Sequence, residues 1–436
     1  MAWRVRHYEL GTEMPELARE PGYTGVTLWL WLHGVPVGRL EYLMAELPVA
    51  PSALRAAVPR AIAAAVGDRL FGKGFEGILP VRGTPERAVA DLGAILSSQK
   101  LLDAFGVAVA ASPPARTEGL SVIICTRDRP DRLARCLDSL EANLPFIGEI
   151  IVVDNGGRPE ETQAVTAGRQ KIVFVAELRP GLSIARNTGI RLASHTILAF
   201  TDDDVVVHKD WAARLLAGFI DSETACVTGL VMPIELETES QVVFERELGG
   251  FGQGVQRMTY DSTFFRRMLP YGVPVWRIGA GANMAIRRHL LDELGGFDER
   301  LGAGAAGCSE DSELWYRLLA AGWTCRYEPA AVVFHEHRRD WDALRRQMRD
   351  YMRGHVAAML VQYAGHNHLG NLRRLLLSVP RYYGLLLARA VFHGRFSGRF
   401  RLIGTEIGGA LAGLGAVRWA FSNDRARLPR SGDKVS

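Results

Sequence analysis

Two hydrophobic rhythms divide the chain. Thr24–Leu32 and Val35–Tyr42 are apolar runs on either side of His33-Gly34, which predicts two strands joined by a tight turn. Ser52–Leu70 follows with alanine-rich helical periodicity. From Leu120 the order becomes strand, turn, helix. Buried-strand runs are predicted at Leu120–Cys125, Glu149–Val153, Ile172–Val175 and Thr196–Thr201, with helices at Pro130–Leu140 and Ser183–Ala193. Strands and helices alternating at this spacing predict a mostly parallel sheet flanked by helices on both faces. Ligands of such sheets bind at the carboxyl ends of the strands. The rhythm is lost over 235–274, a stretch expected to cover the site. It returns with Gly281–Ile286, a helix over Glu310–Ala320 and strands near Trp323–Tyr327 and Ala331–Phe334. After His337 the pattern is helical and basic.

Three regions follow. Residues 1–115 form a small α+β accessory domain without a catalytic cluster, suited to packing, dimerisation or acceptor docking. Residues 118–337 form the α/β catalytic domain, and 338–436 a basic helical C-terminal region. Ser112-Pro113-Pro114 reads as the first linker. A length of 436 residues and 48% hydrophobic composition suit two or three globular domains.

Charge sharpens this division. The net charge is only +4, yet residues 338–436 carry 18 Lys and Arg against 6 Asp and Glu. Such a tail suits an anionic surface: a membrane, a nucleic acid or a phosphorylated acceptor. Peripheral membrane contact through 340–436 is the expectation, and no nucleic-acid partner is expected. The alternative is that these helices pack on the protein or form a homo-oligomer interface. Leu402–Phe421 is the longest apolar stretch, but Glu406 and Arg418 break it, so a surface-lying or packed helix is expected rather than a span. Five cysteines with no C-x-x-C spacing point to neither a disulfide framework nor a zinc site. The N-terminal residues lack the apolar core of a signal peptide, so the expected location is cytoplasmic, on or near the membrane's inner face.

Candidate chemistry lies at three places. Asp202, Asp203 and Asp204 follow an apolar strand; adjacent carboxylates repel, and a hard divalent cation such as Mn²⁺ or Mg²⁺ is their natural partner. Such a cation would neutralise charge on a departing diphosphate. A solvated acidic turn is the alternative. Glu310 and Asp311 open a helix after the Gly-rich loop 302–307, where a carboxylate could act as general base or merely complement the helix dipole. His335, with His337 on the same strand face, ends an apolar strand and suits a metal or phosphate, or a structural role.

Taken in order, Ser121–Pro130 (S-V-I-I-C-T-R-D-R-P), Ile150–Asn155 (I-I-V-V-D-N), Gly181–Gly189 (G-L-S-I-A-R-N-T-G), Asp202–Asp204, Gly295–Asp298 (G-G-F-D), Glu310-Asp311 and His335 resemble the inverting family 2 glycosyltransferases with the GT-A fold. The resemblance spans about 120–337. It implies that Thr126 and Arg127 lie against the nucleotide and that Asp154 bonds the base or ribose. Arg186 and Asn187 would approach the diphosphate or sugar of a UDP-, GDP- or dTDP-sugar donor, with Arg186 steadying the leaving diphosphate. Asp202 and Asp203 would face the donor, Asp204 with Asp202 and His335 would hold the metal, and Asp311, beside Glu310, would be the base. The acceptor would be a glycan, a lipid-linked molecule or a small molecule. No Q-x-x-R-W follows the base, which argues against processive synthesis through a membrane channel. Two other classes compete: a nucleotidyltransferase releasing pyrophosphate, and a non-catalytic nucleotide-sugar-binding protein.

Overall fold

The computed structural model describes residues 2–71, 105–107, 119–393 and 398–424. The expected linker Ser112–Pro114 and the boundary near 115 lie outside them.

The first sheet has three strands, β1 (Ala2–Glu9), β2 (Tyr23–Leu32) and β3 (Val35–Leu43), in that order. β2 and β3 form the predicted hairpin, with Leu32 opposite Val35 and positive φ at His33 (51°) and Gly34 (70°). That turn geometry matches the twist of the flanking strands. β1, paired parallel to β2, was not anticipated, because its alternation of Trp3 and Val5 with Arg4 and Arg6 is short and ends at the adjacent polar pair Arg6-His7. The predicted helix is α1 (Pro51–Phe71). Alternation in β2 divides its side chains: Leu28, Leu30 and Leu32 join α1 in a local core, whereas Trp29 and Trp31 enter the main core. Trp31 stacks on His208 with ring centroids 5.3 Å apart. Arg69 pairs with Glu328 across the same boundary. The N-terminal region is thus packed on the catalytic sheet.

The catalytic sheet runs β10 (Met258–Tyr260), β12 (Thr324–His335), β9 (Thr224–Pro233), β11 (Asn283–Arg287), β7 (Ile197–Asp202), β4 (Leu120–Thr126), β5 (Ile147–Asp154), β6 (Ile172–Ala176), with β8 (Val205–Val207) paired to β12. This is the expected α/β architecture. β4 is buried on both faces, Ile123 toward one core and Val122 and Ile124 toward the other, as expected of a parallel strand covered by helices. The covering helices include α2 (Pro130–Ser139), α3 (Leu182–Leu192), α4 (Trp211–Ala217) and α5 (Glu310–Ala320). Two details differ from the sequence reading. β11 runs antiparallel between β7 and β9, and the two strands expected near 323–334 are one strand whose register with β9 shifts between Glu328 and Val332.

Register puts the chemistry at one edge. Thr126 pairs with Asp154, Cys125 with Asp202, and Val205 with His335, so the ends of β4, β5, β7 and β12 converge.

The C-terminal helices α6 (Trp341–His366), α7 (Val379–His393) and α8 (Ile403–Asp424) do not form a detached tail. α6 buries Leu344, Met348, Val356 and Ala357. Gly354 lies so close to the loop before α5 that a Cβ there would fall 2.5 Å from the Cys308 carbonyl oxygen. Among the described residues no helix is long and apolar enough to cross a membrane.

Gly354→Ala should therefore force α6 away from that loop. Overpacking against backbone costs about 1–3 kcal/mol, visible as a lower urea midpoint. An unchanged midpoint would mean that the contact is slack.

Candidate active site

A cavity of about 1610 Å³ opens at the carboxyl edge of the sheet. Its walls include Thr126, Arg127, Asp202–Asp204, Glu310, Asp311 and His335, together with 247–253 from the irregular stretch and residues of α6 and α7. The sequence-selected clusters therefore share one cleft.

The three aspartates are handled individually. Asp202 accepts a hydrogen bond from Arg186 (3.2 Å). Asp203 accepts from Thr126 Oγ1 (2.8 Å) and Arg129 (3.0 Å). Asp204 lies 3.3 Å from Arg129, 3.4 Å from Arg338 and 3.4 Å from His335 Nε2. Burial, then Asp204, pushes Asp203 up to about 6. Burial also pushes Asp202 up, against the pull of Arg186. At Asp204 burial pushes upward, but His335, Arg338 and Arg129 outweigh it and hold the carboxyl below its ordinary value.

β8–β12 pairing sets the next contact, because it brings Asp204 beside His335; Glu336 N–H also donates to the Asp204 carbonyl (3.1 Å). His335 Nδ1 meets His337 Nδ1 at 2.9 Å, and His337 Nε2 meets Glu245 at 3.1 Å. Burial lowers His335 to about 4, so it is neutral near pH 7. A neutral His335 carries one N–H proton for two contacts, His337 Nδ1 at 2.9 Å and Asp204 at 3.4 Å. If that proton fills the shorter contact, the His335 Nε2 lone pair faces Asp204 Oδ1 with no proton between them. Two lone-pair donors 3.4 Å apart suit neighbouring ligands of one cation with bonds of about 2.1 Å. The pair fits a divalent metal.

Asp202 does not join that pair. Its oxygen is drawn to Arg186, and no group of three or more His, Cys, Asp or Glu is arranged for a metal among the described residues. The three-ligand set expected from Asp202, Asp204 and His335 is therefore reduced to two in this conformation.

The second cluster divides at the start of α5. Ser309 has φ of 71°, a costly left-handed conformation for a non-glycine residue. From there Glu310 turns inward to Arg186 (2.6 Å), and burial raises it to about 7 despite that partner. Asp311 lines the cleft and accepts from Gly281 N–H (2.7 Å) and Ser312 N–H (2.6 Å), with no ion pair among the described residues.

Other expected site residues are placed differently. Arg186 is 3% exposed, lines the cavity, pairs with Glu310 and Asp202, and lies over Phe297 at 5.3 Å, so it ties the two acidic clusters together. Arg129 and Arg338 are more exposed, and both face Asp204. Asn187 exchanges hydrogen bonds with Phe297 N–H and C=O (both 2.9 Å) and does not reach the cleft wall. Asp154 is 2% exposed and accepts from Gly156 N–H (2.7 Å) and Thr162, so it shapes the loop after β5. Arg127 is exposed at the rim.

Comparison with known proteins now bears on this cleft. The Glycosyl transferase family 2 model matches residues 121–295. The succinoglycan biosynthesis protein ExoM of Rhizobium meliloti is 30% identical over 232 residues, half of this chain and 67% of that protein. The chain belongs to glycosyl transferase family 2. A further member, the pre-mycofactocin glycosyltransferase of Mycobacterium tuberculosis, is 31% identical over 229 residues, 51% of this chain and 44% of the relative, so the match spans less than half of that enzyme. A mannosyltransferase from Pyrobaculum calidifontis, solved with GDP-Man and Mn²⁺, aligns at TM-score 0.47 and 18% identity over 70% of this chain and 89% of that one.

Within this family 2 protein, sequence reasoning passed over Arg129, Arg338, Glu245 and the Gly281 N–H. Arg129 stands inside the quoted R-D-R-P motif and Arg338 directly follows His337, so adjacency to the motifs was the available signal. Nothing in the sequence marked Glu245.

Arg186→Met tests the organising role. Breaking a buried pair by removing one partner costs about 3–5 kcal/mol. Urea unfolding should register that loss, and a change below about 1 kcal/mol would show that Glu310 does not depend on Arg186.

Proposed function

We propose that the chain transfers a sugar from a nucleoside-diphosphate donor, of the UDP-, GDP- or dTDP-sugar class, to an acceptor hydroxyl with inversion. The observation that carries this reading is that the Asp204–His335 pair and Asp311 line one cavity. Mn²⁺ or Mg²⁺ held by Asp204 and His335, with Asp202 joining after a side-chain rotation, would neutralise charge on the departing diphosphate. Arg129 and Arg338, beside that position, add fixed positive charge on the same side. Asp311 takes the proton of the acceptor hydroxyl as the oxygen attacks the anomeric carbon from the face opposite the leaving group. Its carboxylate is held still by two backbone N–H groups, so the base is oriented without a cation lying across it. One displacement inverts the anomeric centre, and no covalent sugar intermediate is needed.

Peripheral membrane contact is part of the same proposal, narrowed to one segment. α6 is packed, whereas Leu376, Leu377, Tyr382, Leu385 and Phe392 remain exposed among arginines. Such a surface suits an anionic bilayer. Binding to anionic liposomes at low salt should fall several-fold in a Leu376→Ser, Leu377→Ser double variant. Full retention by that variant would remove this segment from the account.

Asp311→Asn keeps shape and removes the base. Transfer, followed by release of nucleoside diphosphate, should drop about 10²–10⁴-fold with donor affinity little changed. Pyrophosphate as the product would instead point to nucleotidyl transfer, and collapse of donor binding would make Asp311 a ligand residue.

A further inference from the structure

The cavity has a second positive pole that the mechanism above does not use. Arg277 ends a short turn, Val275–Arg277, four residues before Gly281, whose N–H holds Asp311. Four residues of chain span at most about 14 Å, so Arg277 belongs to the Asp311 side of the cleft. Arg374 reaches the same place from the segment between α6 and α7. Its guanidinium donates to the Gly272 carbonyl (2.6 Å) and lies over the Trp276 ring at 4.3 Å. His355 of α6 closes the group, its ring 4.7 Å from Trp276 in an edge-on contact. All four side chains line the cavity.

This cluster brings two guanidiniums to one wall without a counter-charge among the described residues. Arg186, Arg129, Arg338 and Arg399 each face a carboxylate. Neither Arg277 nor Arg374 forms an ion pair among the described residues. Burial, and then Arg277 itself, lowers Arg374 to about 10, and burial with Arg374 lowers His355 to about 4. Two guanidiniums brought together in a half-buried wall without an acid are unfavourable unless something negative joins them, and Arg favours phosphate and carboxylate through paired N–H donors. In the transferase reading the donor's diphosphate is met by Arg129, Arg338 and the cation held at Asp204, none of which belongs to this cluster.

We infer that Arg277 and Arg374 bind an anionic group, a phosphate or carboxylate, carried by the acceptor. The inference rests on the transferase reading of the cleft and deepens it by giving the acceptor a charge. Trp276, held flat under Arg374, supplies an apolar wall next to the anion. Exposed Leu376 and Leu377 follow Arg374 by two and three residues, so a lipid phosphate and a soluble sugar phosphate are both compatible sources of the same chemistry.

The test is calorimetric titration of inorganic phosphate into full-length protein saturated with whichever of UDP, GDP or dTDP binds, with Mn²⁺, so that the donor position is filled. Wild type should bind phosphate, and Arg374→Gln and Arg277→Gln should each weaken it at least tenfold. Arg345→Gln, on the outer face of α6, should not. Arg277 is exposed, so its variant keeps the test valid if the Arg374 variant fails to fold. Two further arms separate the sources. A short-chain prenyl phosphate binding at least tenfold tighter than glucose 6-phosphate, with that excess lost in a Leu376→Ser, Leu377→Ser variant, assigns a lipid acceptor; equal affinities assign a soluble one. Absent phosphate binding, or binding unmoved by both arginine variants, overturns the inference. If none of UDP, GDP and dTDP loads, the transferase reading fails by itself, and the phosphate titration of the free protein and its variants still decides the arginine pair.

Discussion

Everything at the carboxyl edge of the sheet answers one constraint: three consecutive carboxylates end a strand that is buried on both faces. Two unit charges about 4 Å apart interact by about 4 kcal/mol at an effective dielectric near 20, so the turn is tenable only with compensating positive charge. The chain supplies it from separate elements. Arg186 comes from α3, Arg129 from the start of α2, and Arg338 from the segment after β12. Each contact ties a distant part of the chain to the end of β7. The cleft is therefore the place where the fold is electrostatically held together.

That arrangement also explains why the C-terminal region belongs to the catalytic domain. Arg338 opens it on Asp204, and α6 then closes against the Cys308 loop that orients Asp311. Truncation near residue 340 would remove a wall of the cleft and expose the buried face of α6. The surplus of basic residues in this region serves at least two purposes within the molecule: ion pairs such as Arg399–Glu406, and the lining of the cavity. Leu376, Leu377, Tyr382, Leu385 and Phe392 remain facing outward.

Much of the fold was legible in the sequence. Central strands of a covered parallel sheet are continuous apolar runs, and β4, β5 and β7 lie within two residues of their predicted ends. α5 was read at its observed bounds because its apolar positions and acidic first turn agree. β1 was not legible, since the alternation of Trp3 and Val5 with Arg4 and Arg6 spans four residues before His7 interrupts it. The direction of β11 was not legible either, because periodicity reports burial and not strand polarity. In the site, the carboxylates and His335 were visible as residue types. Their partners were not: whether Asp202 turns to a metal or to Arg186, and whether Asn187 faces a ligand or Phe297, depends on contacts across more than a hundred residues in the latter case.

The central claim is that Asp204 and His335, 3.4 Å apart, together form a cation site. Electron paramagnetic resonance of Mn²⁺ titrated into the protein with nucleoside diphosphate present measures it directly, because bound Mn²⁺ loses the sharp six-line signal of the free ion. The account predicts one tightly bound Mn²⁺ per chain, lost in both Asp204→Ala and His335→Ala while circular dichroism is unchanged. Mn²⁺ binding that survives both substitutions, or a free-ion signal undiminished by wild-type protein, would contradict it.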